Sequence, residues 1–278
     1  MLIEIRNPLS RLSRTETRGR VFSCLGELCW YLAGSEELGF IEYYIPKYKD
    51  EADGPIVPGA YGPRLRRRSG VDQLSRIVTL LQAKRSSRQA VVQLFDASDL
   101  GTAVEPKGIK SVPCTCTLQF LARDEGLQLI VNMRSNDAFL GLPHDIFAFT
   151  MLQELVARSL GLPLGHYKHF VGSLHLYDEH KEKAQDFIEE GWQDSRLIMP
   201  PMPEDDPWGA VEELLRAEEA IRNDTDPELS TTLPYWADLA RLLLLFRAKN
   251  KRKDQEEADR ISATLHHAPY RDFFASRP

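Results

Sequence analysis

The chain has 278 residues, 42% of them hydrophobic and 27% charged, with a formal net charge of −6 and a mean hydropathy of −0.35. That is an ordinary globular composition, and its acidic balance excludes nonspecific binding to a nucleic-acid polymer while leaving room for a local basic pocket. No apolar run approaches the ~18–20 residues of a membrane span; Leu242 to Phe246 is far too short.

The N-terminal stretch MLIEIRNPLSR carries early charge and no apolar core, so it does not read as a signal peptide. Four cysteines in a chain of this length make no disulfide framework. A reducing, cytoplasmic location is expected. Residues 1 to about 70 are rich in arginine and aromatics, and the Gly/Pro punctuation of Gly54 to Arg64 reads as loop. Val71 to Lys84 places Leu74, Ile77, Val78 and Leu81 at helical spacing. Four β-rich runs follow: Gln89 to Phe95, Cys116 to Ala122, Leu127 to Met133 and Phe170 to Tyr177. Arg123-Asp124-Glu125-Gly126 predicts a hairpin turn between the middle two. Ile146 to Leu160 is helical by pattern and apolar almost all round, hence buried, with Asp145 available as N-cap and Gly161 past its end. Residues 71–180 therefore form an α/β core. After the stiff Pro200-Pro201-Met202-Pro203 linker come two helical patterns, Pro207 to Arg222 and Pro234 to Lys249. The charged run Lys249 to Glu257 reads as solvated helix surface.

Four sequence features carry chemistry. In Ser111-Val112-Pro113-Cys114-Thr115-Cys116, a cysteine at the mouth of a strand suits a nucleophile. Cys114 and Cys116, two apart, share a strand face; from spacing alone, two buried strand cysteines are the better reading. A metal site would need Cys24 and Cys29 at unsuitable spacing, so none is expected. In Arg134-Ser135-Asn136-Asp137, a guanidinium fork beside a hydroxyl suits phosphate. His175 and Tyr177 share a strand face and could bond one ligand, though a lone strand histidine is often only a core residue. Glu27 lies in an apolar helix beside Trp30, where burial raises a carboxyl toward general acid–base use.

Taken in order, these blocks resemble the thymidylate synthase family. Gly26–Gly34 (GELCWYLAG) is similar to its E-L-x-W-F-L-x-G helix, and Ala60-Tyr61-Gly62 to V-Y-G. Ser86–Gln89 (SSRQ) is similar to S-R-R, and VPCTC around Cys114 to P-P-C-H. Met133–Ile146 resembles Q-R-S-x-D-x-x-L-G-x-P-F-N-I, and Gly172–His180 resembles G-D-x-H-x-Y-x-N-H. The resemblance implies an α/β (α+β) fold with a mixed sheet and packed helices over residues 1–199. A helical C-terminal extension, 200–278, would pack on that catalytic domain. It implies one-carbon transfer from 5,10-methylenetetrahydrofolate to C5 of a pyrimidine nucleotide, with Cys114 adding to C6 and Glu27 managing protons. Tyr61 would stand near the nucleophile. Arg134, Ser135, Asp137 and Arg88 would hold the substrate. Arg88 would complete the phosphate site of the partner in a homodimer. His175 and Tyr177 would bind the sugar. Arg14, in Arg14-Thr15-Glu16-Thr17-Arg18-Gly19, resembles the family's phosphate loop, at shorter spacing from Glu27 than usual.

Several positions depart from the family. Its base-reading Asn is Asp145 here. An ionised carboxylate cannot donate to O4 of uracil but accepts from N4–H₂ of cytosine. Asp at this position resembles the cytidylate and deoxycytidylate hydroxymethylase branch, so CMP or dCMP is the expected substrate, with dUMP methylation as the alternative and nucleotide binding without turnover as a further one. Tyr44-Ile45-Pro46-Lys47-Tyr48 replaces the family's W-x-x-W, whose indole shields the folate-derived intermediate from water. Thr115, Met133, Gln89 and Ser173 replace further family residues, and the short apolar closing segment at the C-terminus is missing.

Overall fold

The hairpin signature Arg123-Asp124-Glu125-Gly126 organises the sheet. Arg123 pairs with Gly126 across a two-residue turn, and Gly126 takes φ +114 while a Cβ there would sit 2.5 Å from the Pro163 carbonyl. Only glycine fits that conformation and that space. The computed structural model describes residues 1–12, 21–103, 111–191, 198–229 and 232–274. Arg14 and its block lie outside them.

In chain order the elements are β1 (Leu2–Ile5), α1 (Val21–Leu32), α2 (Leu38–Tyr44), a 3₁₀ turn (Pro46–Glu51), α3 (Tyr61–Arg66), α4 (Gln73–Ala83), β2 (Val91–Gln93) and α5 (Ala97–Ala103). Then follow β3 (Thr115–Arg123), β4 (Gly126–Asp137), α6 (Gly141–Ser159), β5 (Leu164–His175), α7 (Lys181–Glu189), α8 (Trp208–Arg222), α9 (Pro234–Phe246), α10 (Gln255–Ala263) and α11 (Ala268–Phe274). The five strands form one mixed sheet in the order β1-β5-β4-β3-β2. Only β4 and β5 run parallel, and α6 makes the crossover that a parallel pair requires.

Alternation sets the two faces of the sheet. Leu127, Leu129, Val131 and Met133 of β4 are buried beneath α6, while Ile130 and Asn132 between them are half-buried on the opposite face. Gln153 of α6 donates to the carbonyls of Leu127 (2.8 Å) and Gly165 (3.0 Å), tying the helix to the starts of both parallel strands. Helix α1 is buried almost all round, as an apolar helix must be. It packs against α6, α2 and α3, and against α8 and α9 of the tail. A Cβ on Gly26 would overlap the Tyr44 ring at 2.2 Å, so glycine permits the α1–α2 contact. Tyr44 then donates to Glu218 of α8 at 2.9 Å and packs on Phe246 of α9, ring centroids 5.1 Å apart. Leu239, Leu242 and Leu243 share one hydrophobic core with the sheet and α1.

Several sequence expectations need correction. Asp145 does not cap α6: the helix begins at Gly141, and the Asp137 carboxylate accepts from the N–H groups of Phe139 (3.0 Å), Leu140 and Gly141 (3.4 Å). The stretch read as loop contains the start of α3 at Tyr61. The last strand begins earlier, at Leu164, and ends at His175, leaving Tyr177 outside it. The Pro234 helix is α-helical only to Phe246 and continues as a π-turn over Arg247–Arg252. Lys253 is left-handed (φ 54), and the Asp254 side chain caps α10, so the charged run, exposed as expected, is interrupted by a break between two helices. Cys116 falls in a β-bulge between Thr115 and Thr117, which breaks the simple alternation expected of the two cysteines.

Candidate active site

The parallel pair β4–β5 and the start of β3 bring the candidate residues to one end of the sheet. Ser135 lies opposite Ser173, and Asp137 opposite His175. β3 is antiparallel to β4, so its first residue, Thr115, pairs with Met133 at that same end, with Cys114 just before it.

The Cys114 segment is held from three sides. The Arg134 N–H donates to the Cys114 carbonyl at 2.9 Å. The Arg134 guanidinium donates from Nε to the Pro113 carbonyl and from Nη2 to the Val112 carbonyl, each at 3.0 Å. The Thr115 N–H and hydroxyl both donate to Tyr61 Oη at 3.0 Å, and the Tyr61 ring stacks on Phe149 of α6 with an interplanar angle of 16°. Burial pushes the Cys114 thiol above its usual range. The Arg134 cation opposes that rise, and Asp145, Glu51 and Cys116 add to it. Arg134 thus positions the segment and favours the thiolate at once.

Glu27 is buried on α1. Burial pushes its carboxyl up to about 7, against hydrogen bonds from Tyr48 and Tyr31 that favour the charged form. Tyr31 stands one helical turn after Glu27, the spacing that puts both on one helix face. Asp145, also buried, is raised well above the carboxylate range by burial and by the nearby Glu27 charge, with a hydrogen bond from Asn136 opposing. Neither carboxyl has an ion-pair partner among the described residues. Tyr31 feels Glu27, Tyr48, Asp145 and Tyr61, and Tyr61 feels Asp145 and Cys114, which places these groups around one centre.

Ser135 Oγ and His175 Nδ1 lie 3.3 Å apart. Tyr177, half-exposed, meets His175 edge-on at 4.9 Å between ring centroids, so the pair read from the sequence stays together although the strand ends between them. Asp137 spends one oxygen on the α6 N-terminus, while its buried Oδ2 has no partner among the described residues. Arg88 is not in this cluster. It is exposed in the turn before β2, where its carbonyl accepts from Gln119 Nε2 at 2.9 Å. No group of His, Cys, Asp and Glu among the described residues could hold a metal ion.

A family model described as thymidylate synthase matches residues 9–202. The chain belongs to the thymidylate synthase family. The fold is also that of the crystal structure of thymidylate synthase from T4 phage, with a TM-score of 0.59 at 21% identity over 81% of this chain and 82% of that one. Members of the family transfer a one-carbon unit to a pyrimidine nucleotide, use methylenetetrahydrofolate, and fold as homodimers. The tail after residue 202 lies beyond the matched span. No helix among the described residues is long and apolar enough to cross a membrane.

Sequence reasoning missed Tyr48 and Tyr31 as the partners of Glu27. It also missed the buried set Asn136, His169 and Tyr167 beside Asp145. Tyr31 was findable from its spacing to Glu27. Tyr167 and His169, two apart, were findable as polar residues on one strand face. Tyr48 was visible only as a replacement for tryptophan.

Proposed function

We propose that this family member is a CMP or dCMP 5-hydroxymethylase. The observation that carries the reading is Asp145: a buried carboxyl beside Glu27, at the position where the family reads the base with an amide. When ionised, such a group rejects O4 of uracil and accepts from N4–H₂ of cytosine. When it retains its proton, as burial favours, it also offers the donor that N3 of cytosine needs. A buried mismatch of this kind costs about 1–3 kcal/mol, enough to reverse a base preference.

Cys114 Sγ adds to C6, and the electron pair of the C5–C6 double bond leaves C5 nucleophilic. Methylenetetrahydrofolate supplies the one-carbon unit at C5. Loss of the C5 proton, with Glu27 and Tyr61 managing protons, would expel tetrahydrofolate from that unit and leave an exocyclic methylene; water would add to the methylene and give up a proton, and the electron pair returned to C5 would re-form the C5–C6 double bond as the Cys114 thiolate leaves. Arg134 and Ser135 hold the phosphate, His175 and Tyr177 the sugar, and Asp137 is a further substrate-binding residue. Arg14 serves with the phosphate group. The W-x-x-W replacement supports hydroxymethyl over methyl: Tyr44 is turned to Glu218 and Phe246, and Tyr48 to Glu27, so neither supplies an indole shield and water can capture the exocyclic methylene.

The sheet face opposite α6 carries Leu2, Val91 and Phe170 exposed and Leu121 and Ile130 half-buried. A second copy of the chain covers that face in the proposed homodimer, and Arg88 then reaches the partner's phosphate site. The extension from 200 to 278 braces α1 from behind. The cytoplasm is the proposed location.

Mass spectrometry of the products from CMP, dCMP and dUMP with methylenetetrahydrofolate tests base, sugar and product together. The expected product is a 5-hydroxymethylcytosine nucleotide; thymidylate from dUMP as the sole product would overturn the reading. Asp145→Asn is expected to move preference toward uracil.

A further inference from the structure

The water that captures the exocyclic methylene must give up a proton as its oxygen bonds carbon. A base at that step speeds it, and the base must meet a water that comes from solvent. Glu27, buried on α1, is shut away from solvent. The 3₁₀ turn Pro46–Glu51 carries a carboxyl that is not.

That turn is tied to three walls of the site. Tyr48 donates to the Glu27 carboxyl on α1. Lys47 pairs with Glu179 at 3.0 Å in the segment after β5, and its ammonium lies 5.7 Å from the centre of the Tyr177 ring. Glu51 Oε2 accepts from Ser111 Oγ at 3.1 Å. Ser111 opens the segment that leads to Cys114, whose Val112 and Pro113 carbonyls are held by Arg134. A Cβ on Gly59 would lie 2.5 Å from Ser111 Oγ, so glycine leaves that hydroxyl its place. The turn therefore spans the site from α1 and the end of β5 to the strand mouth at Cys114.

In a 3₁₀ helix the side chains at i and i+3 eclipse, about 6 Å apart along the axis. Glu51 thus stands one turn beyond Tyr48 on the face that meets Glu27, and its own bond to Ser111 carries it toward the Cys114 segment. The residue is exposed. Ser111 engages Oε2, and no described residue hydrogen-bonds Oε1. Partial burial raises the carboxyl above its usual range against the Ser111 bond, and the Glu27 charge adds to the rise. A raised carboxyl is a stronger base than a free one.

We propose that Glu51 is a further catalytic residue, the general base that takes a proton from the water that adds to the exocyclic methylene. This rests on the reading of the enzyme as a hydroxymethylase. The water oxygen bonds the methylene carbon, the electron pair of the exocyclic double bond moves to C5, and the water proton passes to Glu51 Oε1. The pair at C5 re-forms the C5–C6 double bond as the Cys114 thiolate leaves, and Glu51 releases its proton to solvent. Ser111 is a positioning residue, which holds Oε2 and leaves Oε1 for the water.

An added thiol isolates the water step. β-Mercaptoethanol attacks as its thiolate, needs no base at the site, and competes with water only after the methylene has formed. The ratio of thioether to hydroxymethyl product therefore reads water addition alone, whereas a folding defect or an earlier block lowers both products and leaves the ratio where it was. The full-length enzyme is given CMP or dCMP, methylenetetrahydrofolate and the thiol, and the products are read by mass spectrometry. Glu51→Gln is expected to slow water addition by about 10²-fold and to raise the ratio by that factor. Ser111→Ala is expected to move it the same way by less. Asp50→Asn removes an equal charge from the neighbouring exposed position, off the Tyr48–Glu51 face, and is expected to leave it in place. A ratio unchanged in Glu51→Gln, or moved as far by Asp50→Asn, overturns the proposal. A wild type that yields only a methylated product overturns the hydroxymethylase reading before any variant is made, and the role of Glu51 falls with it.

Discussion

Two regions of the molecule bury charge, and they do so in opposite ways. At the end of the sheet, Glu27 and Asp145 are buried with no cation paired to them among the described residues; tyrosine hydroxyls and an amide face them instead. Behind α1 and α6, buried charges are matched. Glu154 is paired with Arg11 and accepts from the Met202 N–H at 2.8 Å. Arg247 is paired with Asp226 and, at 3.2 Å, with Glu257. Asp238 accepts from the N–H groups of His266 and His267 at 2.9 Å and pairs with Arg241. Unmatched burial costs stability and yields groups that exchange protons near neutral pH, which suits a site of chemistry. Matched burial fixes geometry and changes little with pH around neutrality.

Removing a group from each region should separate activity from stability. Cys114→Ser is expected to lower turnover by more than about 10³-fold with an unchanged unfolding midpoint, measured by tritium release from C5 and by thermal denaturation. Retained activity would end the nucleophile assignment. Arg11→Ala leaves the buried Glu154 with only the longer pairing to Arg158 at 3.6 Å and the Met202 N–H, and is expected to cost about 3 kcal/mol, read in urea unfolding. Turnover per folded molecule should not follow.

The same contrast explains what was legible in the sequence. The hairpin at Arg123–Gly126, the helix over Leu74–Leu81 and the buried α6 follow from local periodicity and turn chemistry, which need no tertiary knowledge. Cys114, Glu27, Arg134 and His175 stand in ordered blocks, and the fold brings them to one sheet end. The second layer was not legible. Tyr48 reaches Glu27 from a 3₁₀ turn, and His169 reaches Asn136 across the β4–β5 pairing, so neither contact has a sequence spacing. Asp145 and Asp137 show the limit of local reading: both sit near the helix start, and only the position of the first turn decides which one caps it. The tail's short helices α10 and α11 escaped because their apolar faces are small. The buried pairing of Asp238 with the chain before α11 is a long-range contact.

The two regions should also shift stability in opposite directions with pH. The folded-state value of Glu27 is raised to about 7, so its neutral form contributes fully below the unfolded value near 4.5 and that contribution is lost as pH rises through 7. Burial pulls Asp238 upward, but the hydrogen bonds from His266 and His267 outweigh it and hold the carboxyl below its usual range. Its contribution is present above about pH 4 and lost as pH falls. Glu27→Gln is therefore expected to gain on the wild type by about 3 kcal/mol between pH 4 and pH 8.5. Urea unfolding at the two pH values measures this, and parallel stabilities would show that Glu27 does not titrate near 7.

The smallest expected effect is the most local. Tyr48 donates to the Glu27 carboxyl and favours its ionised form. Tyr48→Phe keeps the ring that packs edge-on against Trp30 at 5.3 Å and removes only the donor. The Glu27 value should then rise, because burial is left less opposed. One hydrogen bond to a charged group corresponds to about one pH unit. In the pH profile of kcat/KM, the limb near 7 should move upward by that amount, and Glu27→Gln should abolish it. A limb that stays in place in Tyr48→Phe but vanishes in Glu27→Gln would mean that the hydroxyl orients Glu27 without tuning it. A limb that survives Glu27→Gln would belong to another group, and the raised carboxyl on α1 would then be a cost of burial alone.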